Sequence, residues 1–118
     1  MTTKECYEKI GSNYESILGR FGSEALVKRF ALKFLKDPSY AELSEALEAR
    51  DAERAFRAAH TLKGVCLNLG FDRLYEISAA MTEDLRVRDI NGGDRLFSEL
   101  TTCYEQLTDV IRQLEAEA

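Results

Sequence analysis

Between Phe97 and Leu114 the apolar residues Phe97, Leu100, Tyr104, Leu107, Ile111 and Leu114 recur at intervals of three and four without a break. An α-helix turns once in about 3.6 residues, so this spacing puts all six on one stripe. The same period runs through Leu74, Ile77, Met81 and Leu85, through Leu43 and Leu47, and through Leu26, Phe30 and Phe34. It begins with Tyr7, Ile10, Tyr14, Ile17 and Phe21. Nowhere do apolar and polar residues alternate with the period of two that a half-buried strand requires. A chain patterned this way must bury amphipathic helices against one another, which predicts an antiparallel helical bundle with short connections.

Capping and breaking residues set the expected boundaries. The first segment should end near Gly19. Ser23 is a good N-cap for a second helix, which Asp37-Pro38 stops because proline removes a donor and disfavours helix in the residue before it. Ser39, with Glu42 three residues on, has the capping-box pattern. Asp51 caps a helix that runs to Leu69 and closes at Gly70, a residue type suited to the left-handed position after a helix. Asn91-Gly92-Gly93 reads as a turn and Asp94 as the cap of the last helix. The core helices are thus expected at about 23–49 with a break at Pro38, then 51–69, 71–88 and 94–115. At 118 residues, residues 1–118 fit one domain.

Composition excludes several classes. A formal net charge of −5 argues against sequence-independent nucleic-acid binding, which draws on a basic surface. No apolar run approaches the roughly 20 residues of a membrane helix. The opening Met1-Thr2-Thr3-Lys4-Glu5 does not read as a signal peptide, so a cytoplasmic protein is expected. Cys6, Cys66 and Cys103 are odd in number and widely spaced, as reduced buried thiols would be. With one histidine in the chain, that spacing gives no support for a zinc site.

The helix from Asp51 to Leu69 carries the chemistry. With His60 at zero and about 100° per residue, Ala55, Ala58, Leu62, Val65, Cys66 and Leu69 gather within about 140° to 240°. That arc is a full core-facing stripe, and His60 points the other way. Phe56 and Leu67, both large and apolar, lie within about 40° of His60 on a face that should be solvated. Gly64, one turn on, leaves the imidazole uncrowded although glycine costs about 1 kcal/mol relative to alanine inside a helix. Lys63 and Arg57 put positive charge on either side of the ring. An outward imidazole with an open space, flanking cations and an apolar rim describes a docking face with a reactive centre.

Imidazole ordinarily titrates near pH 6.5, so at neutral pH most of it offers a free lone pair, a competent nucleophile toward phosphorus. Phosphoryl transfer relies on alignment and charge stabilisation. A rigid helix supplies alignment, but no Walker-type loop accompanies it, and Gly92-Gly93 lacks a following GK[ST]. The cation and the opposing carboxylate must then come from a partner. A general-base role lacks an orienting carboxylate nearby, since Glu53 is two turns away. The alternative is a helical protein–protein interaction module in which His60 merely forms part of the docking surface.

The run Ala59-His60-Thr61-Leu62-Lys63-Gly64, continued by Cys66, Asn68, Leu69 and Gly70, closely resembles the signature of the histidine-containing phosphotransfer (HPt) domain. Arg29-Phe30, Phe34, Asp37-Pro38-Ser39-Tyr40, Leu43 and the helix from Leu74 to Leu85 are similar as well, so the resemblance spans roughly residues 15 to 88. It implies a four-helix bundle with additional short helices at one end. It also implies that His60 is the phosphoacceptor, Lys63 the cation near the phosphoryl group and Gly64 the opening for a partner's active site. Phe56, Arg57, Leu67 and Asn68 become the expected partner-binding residues. The implied partners are response-regulator receiver domains and a sensor histidine kinase, which supply metal and catalytic groups to a monomeric carrier that has no cofactor or metal of its own and no independent catalytic site for ATP. Leu67, where smaller residues are common in the family, bears on partner choice.

Overall fold

The computed structural model describes residues 1–117. Among them, α1 (Thr3–Lys9), α2 (Tyr14–Phe21), α3 (Glu24–Lys33), α4 (Ser39–Glu48), α5 (Ala52–Leu69), α6 (Asp72–Arg86) and α7 (Ile90–Ala116) follow one another, with a 3₁₀ turn at Phe34–Lys36 and no strand. The fold is all-α: an antiparallel four-helix bundle of α4 to α7 with additional short helices at one end. Helix α5 lies between α4 and α6, α6 packs on α7, and α3 and α4 both reach α7 to close the ring. At about 1.5 Å per residue the 27 residues of α7 reach roughly the full 40 Å length of the molecule.

Several expected caps are present. Ser23 accepts from the Leu26 amide, Asp51 from the Arg54 amide, and Gly70 closes α5 at φ +74°. Four other expectations are not met. The N-terminal stripe is two helices, because the chain turns at Gly11 and Asn13 caps a fresh start by accepting from the Ser16 amide. On α3 the buried residues are Val27 and Ala31, followed by Phe34, while Leu26 stays exposed and Phe30 stacks on Phe21. Ser39 does not cap α4: its hydroxyl-bearing side chain is buried, Pro38 takes the cap position, and the Ser39 amide donates to Asp37 Oδ1 at 2.9 Å.

The fourth difference concerns Gly92 and Gly93, which form no turn. Helix α7 starts at Ile90, capped by Asp89, whose carboxylate accepts from the Gly92 amide at 3.0 Å. A Cβ on Gly92 would lie 2.6 Å from the Asp84 carboxylate, and one on Gly93 would lie 3.1 Å from Leu85. These glycines let α7 start hard against α6. Asp94 is an ion-pair partner of Arg50, not a cap, and Arg50 also donates to Asn91 Oδ1 at 3.2 Å.

Seven aromatic rings, Tyr14, Tyr7, Phe71, Phe34, Tyr104, Tyr40 and Phe97, touch in sequence with centroid separations between 4.0 and 5.9 Å. They join the short N-terminal helices to α6 and α7. Cys6, Cys66 and Cys103 are free and buried in the same core, and burial pushes the Cys66 thiol well above its ordinary range.

The short helices also fasten the end of α5. The fully buried Tyr7 donates its hydroxyl to the Leu69 carbonyl at 2.8 Å, and Arg20 donates to the carbonyls of Leu67 and Asn68, each at 2.8 Å. Carbonyls in the last turn of a helix have no intrahelical donor, so these bonds complete α5. Tyr7→Phe should lower the unfolding free energy by about 1–3 kcal/mol, because it strands a buried acceptor; urea denaturation measures it, and a loss near zero would show the bond to be dispensable.

Candidate functional site

Helix α5 buries Ala55, Ala58, Ala59, Leu62, Cys66 and Leu69. Its rotation follows from that burial, and His60 comes out exposed on the opposite side. Ala59 lies about 100° from His60 on the wheel yet is fully buried, and Val65 is only partly covered. Both depart from the expected arc because α4 and α6 flank the helix on two sides, whereas a wheel treats it as a lone cylinder.

The residues expected around His60 fall as follows. A Cβ built on Gly64 meets nothing within 4 Å, so no packing inside this chain requires a glycine there. Lys63 is half-exposed and, among the described residues, has no carboxylate within ion-pair distance. Leu67 is 54% exposed, and Asn68 is exposed with its carbonyl engaged by Arg20. Arg57 is exposed but leans toward the start of the helix, bonded to Glu53 at 3.0 Å, so its charge is largely spoken for.

Phe56 corrects the expectation of an openly solvated rim. It is half-buried against the core, its ring centroid 5.9 Å from that of His60. The guanidinium groups of Arg86 and Arg88 lie 5.1 and 5.4 Å from that centroid. Arg86 also donates to Glu83 at 3.2 Å. That hydrogen bond, followed by the positive charges of Arg86 and Lys63, holds the Glu83 carboxyl below its ordinary range. The end of α6 is thus part of the His60 neighbourhood. The sequence offered only a faint signal for it, the unpatterned Arg86-Val87-Arg88 run after the α6 stripe.

His60 lies in a shallow, open depression shared with Phe56, Arg57 and Thr61. A more enclosed concavity of about 210 Å³, between the end of α1, the start of α6 and the middle of α7, is lined by Ile10, Phe71, Cys103 and Leu107 among others and shares no residue with it. An exposed nucleophile on a convex helix face reaches a group carried on another macromolecule more readily than a small molecule that needs enclosure. The class defined by fold and site is a helical bundle with one exposed imidazole on the outer face of a central helix.

Comparison with known proteins makes this specific. The family model for the Hpt domain matches residues 39–116, and the chain belongs to that family. The match covers α4 to α7. It begins later than the stretch in which the motifs were read and includes the last helix. No curated protein and no solved structure gives a significant match. Hpt domains carry phosphoryl groups on histidine in phosphorelays, working with receiver domains and kinases of two-component systems. Among the described residues no helix is long and apolar enough to cross a membrane.

The two apolar neighbours of His60 should separate in a stability assay. Phe56→Ala should cost about 1–3 kcal/mol, less than the 3–5 of a fully buried phenylalanine, and Leu67→Ala within about 0.5 kcal/mol of zero. Equal losses in chemical denaturation would contradict this division.

Proposed function

We propose that His60 accepts a phosphoryl group from a sensor histidine kinase or a receiver-domain aspartate and passes it to or from a second receiver. Residues 1–118 act as one monomeric Hpt unit in the cytoplasm, where an ATP-dependent kinase works. The observation that carries this reading is the lone imidazole exposed on the face of α5 opposite the core, beside a glycine that no packing requires, in a chain of the Hpt family.

The step balances simply. The free lone pair of the neutral imidazole attacks phosphorus as the bond from phosphorus to the aspartyl oxygen breaks, and that bonding pair leaves with the carboxylate. The phosphorylated ring then loses its remaining N–H proton to solvent. Lys63 stands where its ammonium can approach the phosphoryl oxygens, a contribution of about 0–1 kcal/mol at an exposed position. Phe56, Leu67 and Asn68 form the rim that positions the partner, with Arg57 at its edge. The receiver or kinase brings the metal ion and the catalytic groups that this helix does not supply.

Incubation with a receiver domain phosphorylated by acetyl phosphate should yield an acid-labile, base-stable label on the native protein and none on His60→Gln. Label persisting on the variant, or absent from the native protein across a panel of receivers and kinases, overturns the reading and leaves a helical interaction module.

Gly64 provides a second check. Gly64→Ala should fold at least as stably, by up to about 1 kcal/mol, since alanine is the better helix former and its methyl meets nothing. Gly64→Leu should also fold, but transfer should slow roughly tenfold or more, because small misplacements of reacting groups are costly. Undiminished transfer in the leucine variant would remove the reason offered for the glycine.

A further inference from the structure

Arg88 is one of two non-glycine residues at positive φ among the described residues, at +62°. It stands just beyond α6, where glycine or asparagine is the usual solution, and a longer side chain there costs roughly 1–2 kcal/mol. Its guanidinium donates to the carbonyls of Leu85 and Arg86 at 3.0 and 3.3 Å and lies over Phe56. Among the described residues it has no carboxylate partner within ion-pair distance. Val87 beside it is 75% exposed, more than Leu67 or Leu26. Its isopropyl group does little for the fold. Val87, the cap residue that ends α6, and Leu67 on α5 are both exposed apolar side chains, and Val87 stands in the chain between two arginines whose guanidinium groups lie over Phe56.

The chemistry of the exchange says what would meet this element. A receiver that holds a divalent cation beside a phosphorylatable aspartate must gather several carboxylates around it, because such cations take oxygen ligands. A chain of net charge −5 approaching such a rim meets general repulsion, which a basic patch at the point of contact offsets and orients. Continuity with the His60 face runs through one ring: Phe56 neighbours His60 and also lies under the guanidinium groups of Arg86 and Arg88.

We propose that Arg86, Val87 and Arg88 form a docking arm that grips the acidic rim of the receiver exchanging phosphoryl groups with His60. The inference rests on the phosphocarrier reading. Val87 seats against an apolar spot at the rim, and Arg88 supplies the unpaired charge. Arg86 stays tied to Glu83 and steadies the arm.

The test uses the full chain and the receiver, phosphorylated by acetyl phosphate, that exchanges most rapidly with it. Arg88→Gly removes the charge while relieving the backbone, so the variant should melt no lower than native. The receiver concentration for half-maximal transfer should rise about three- to tenfold at low salt, and its dependence on ionic strength should flatten. The maximal rate at saturating receiver should hold. Val87→Ser, which keeps both charges, should raise the half-saturating concentration without altering the salt dependence. A role confined to capping α6 would move the melting temperature and leave both transfer parameters unchanged, which overturns the proposal. A native protein that takes label, with Arg88→Gly and Val87→Ser both saturating like native, likewise removes the arm and leaves the carrier intact. A native protein that never takes label removes both.

Discussion

The burial of one arc of α5 decides where everything else can be. Ala55, Ala58, Ala59, Leu62, Cys66 and Leu69 are removed from water against α4 and α6, and each large aliphatic side chain among them is worth roughly 1.5–3 kcal/mol relative to exposure. Turning the helix far enough to hide His60 would bring Leu62 and Leu69 into solvent together. The three alanines let the neighbouring helices come close, so the rotation is held by contact as well as by hydrophobicity. The imidazole is exposed because it lies on the face that this burial leaves to solvent, together with Arg57, Gly64 and Leu67.

The fastening of α5 at its ends follows from the same requirement. Asp51 satisfies a first-turn amide and Arg54 bonds Glu45 on α4 at 2.9 Å. At the far end Gly70 turns the chain at φ +74°, and its missing Cβ leaves room for Ile17, which would otherwise lie 2.4 Å away. Tyr7 and Arg20 finish the carbonyls there. The two short N-terminal helices thus contribute to a site from which they are distant in sequence, although the family match begins only at residue 39.

How much of this could be read in the sequence depended on how local the cause was. Periodicity located the helices, and Ser23, Asp51 and Gly70 marked ends correctly because a cap acts within three or four residues of itself. The wheel turned His60 outward because one helix has one dominant apolar arc. It misjudged Ala59, Val65 and Phe56, whose surroundings are set by α4 and α6. Gly92-Gly93 looked like a turn because glycine is ambiguous: the same absence of a side chain serves a bend or a close approach of helices, and here Asp84 and Leu85 need the space. Arg86 and Arg88 belonged to no pattern, since their place over Phe56 depends on how α6 crosses α5.

A helix tied at both ends and packed along one whole side has little freedom to change shape. Any covalent mark placed on its outer face would leave the scaffold beneath it much as it was. Information held by such a part resides in chemical composition, and its lifetime is that of a bond and not of a conformation. A reader of that information has to come into direct contact with the marked atom, since nothing elsewhere on the surface would announce it.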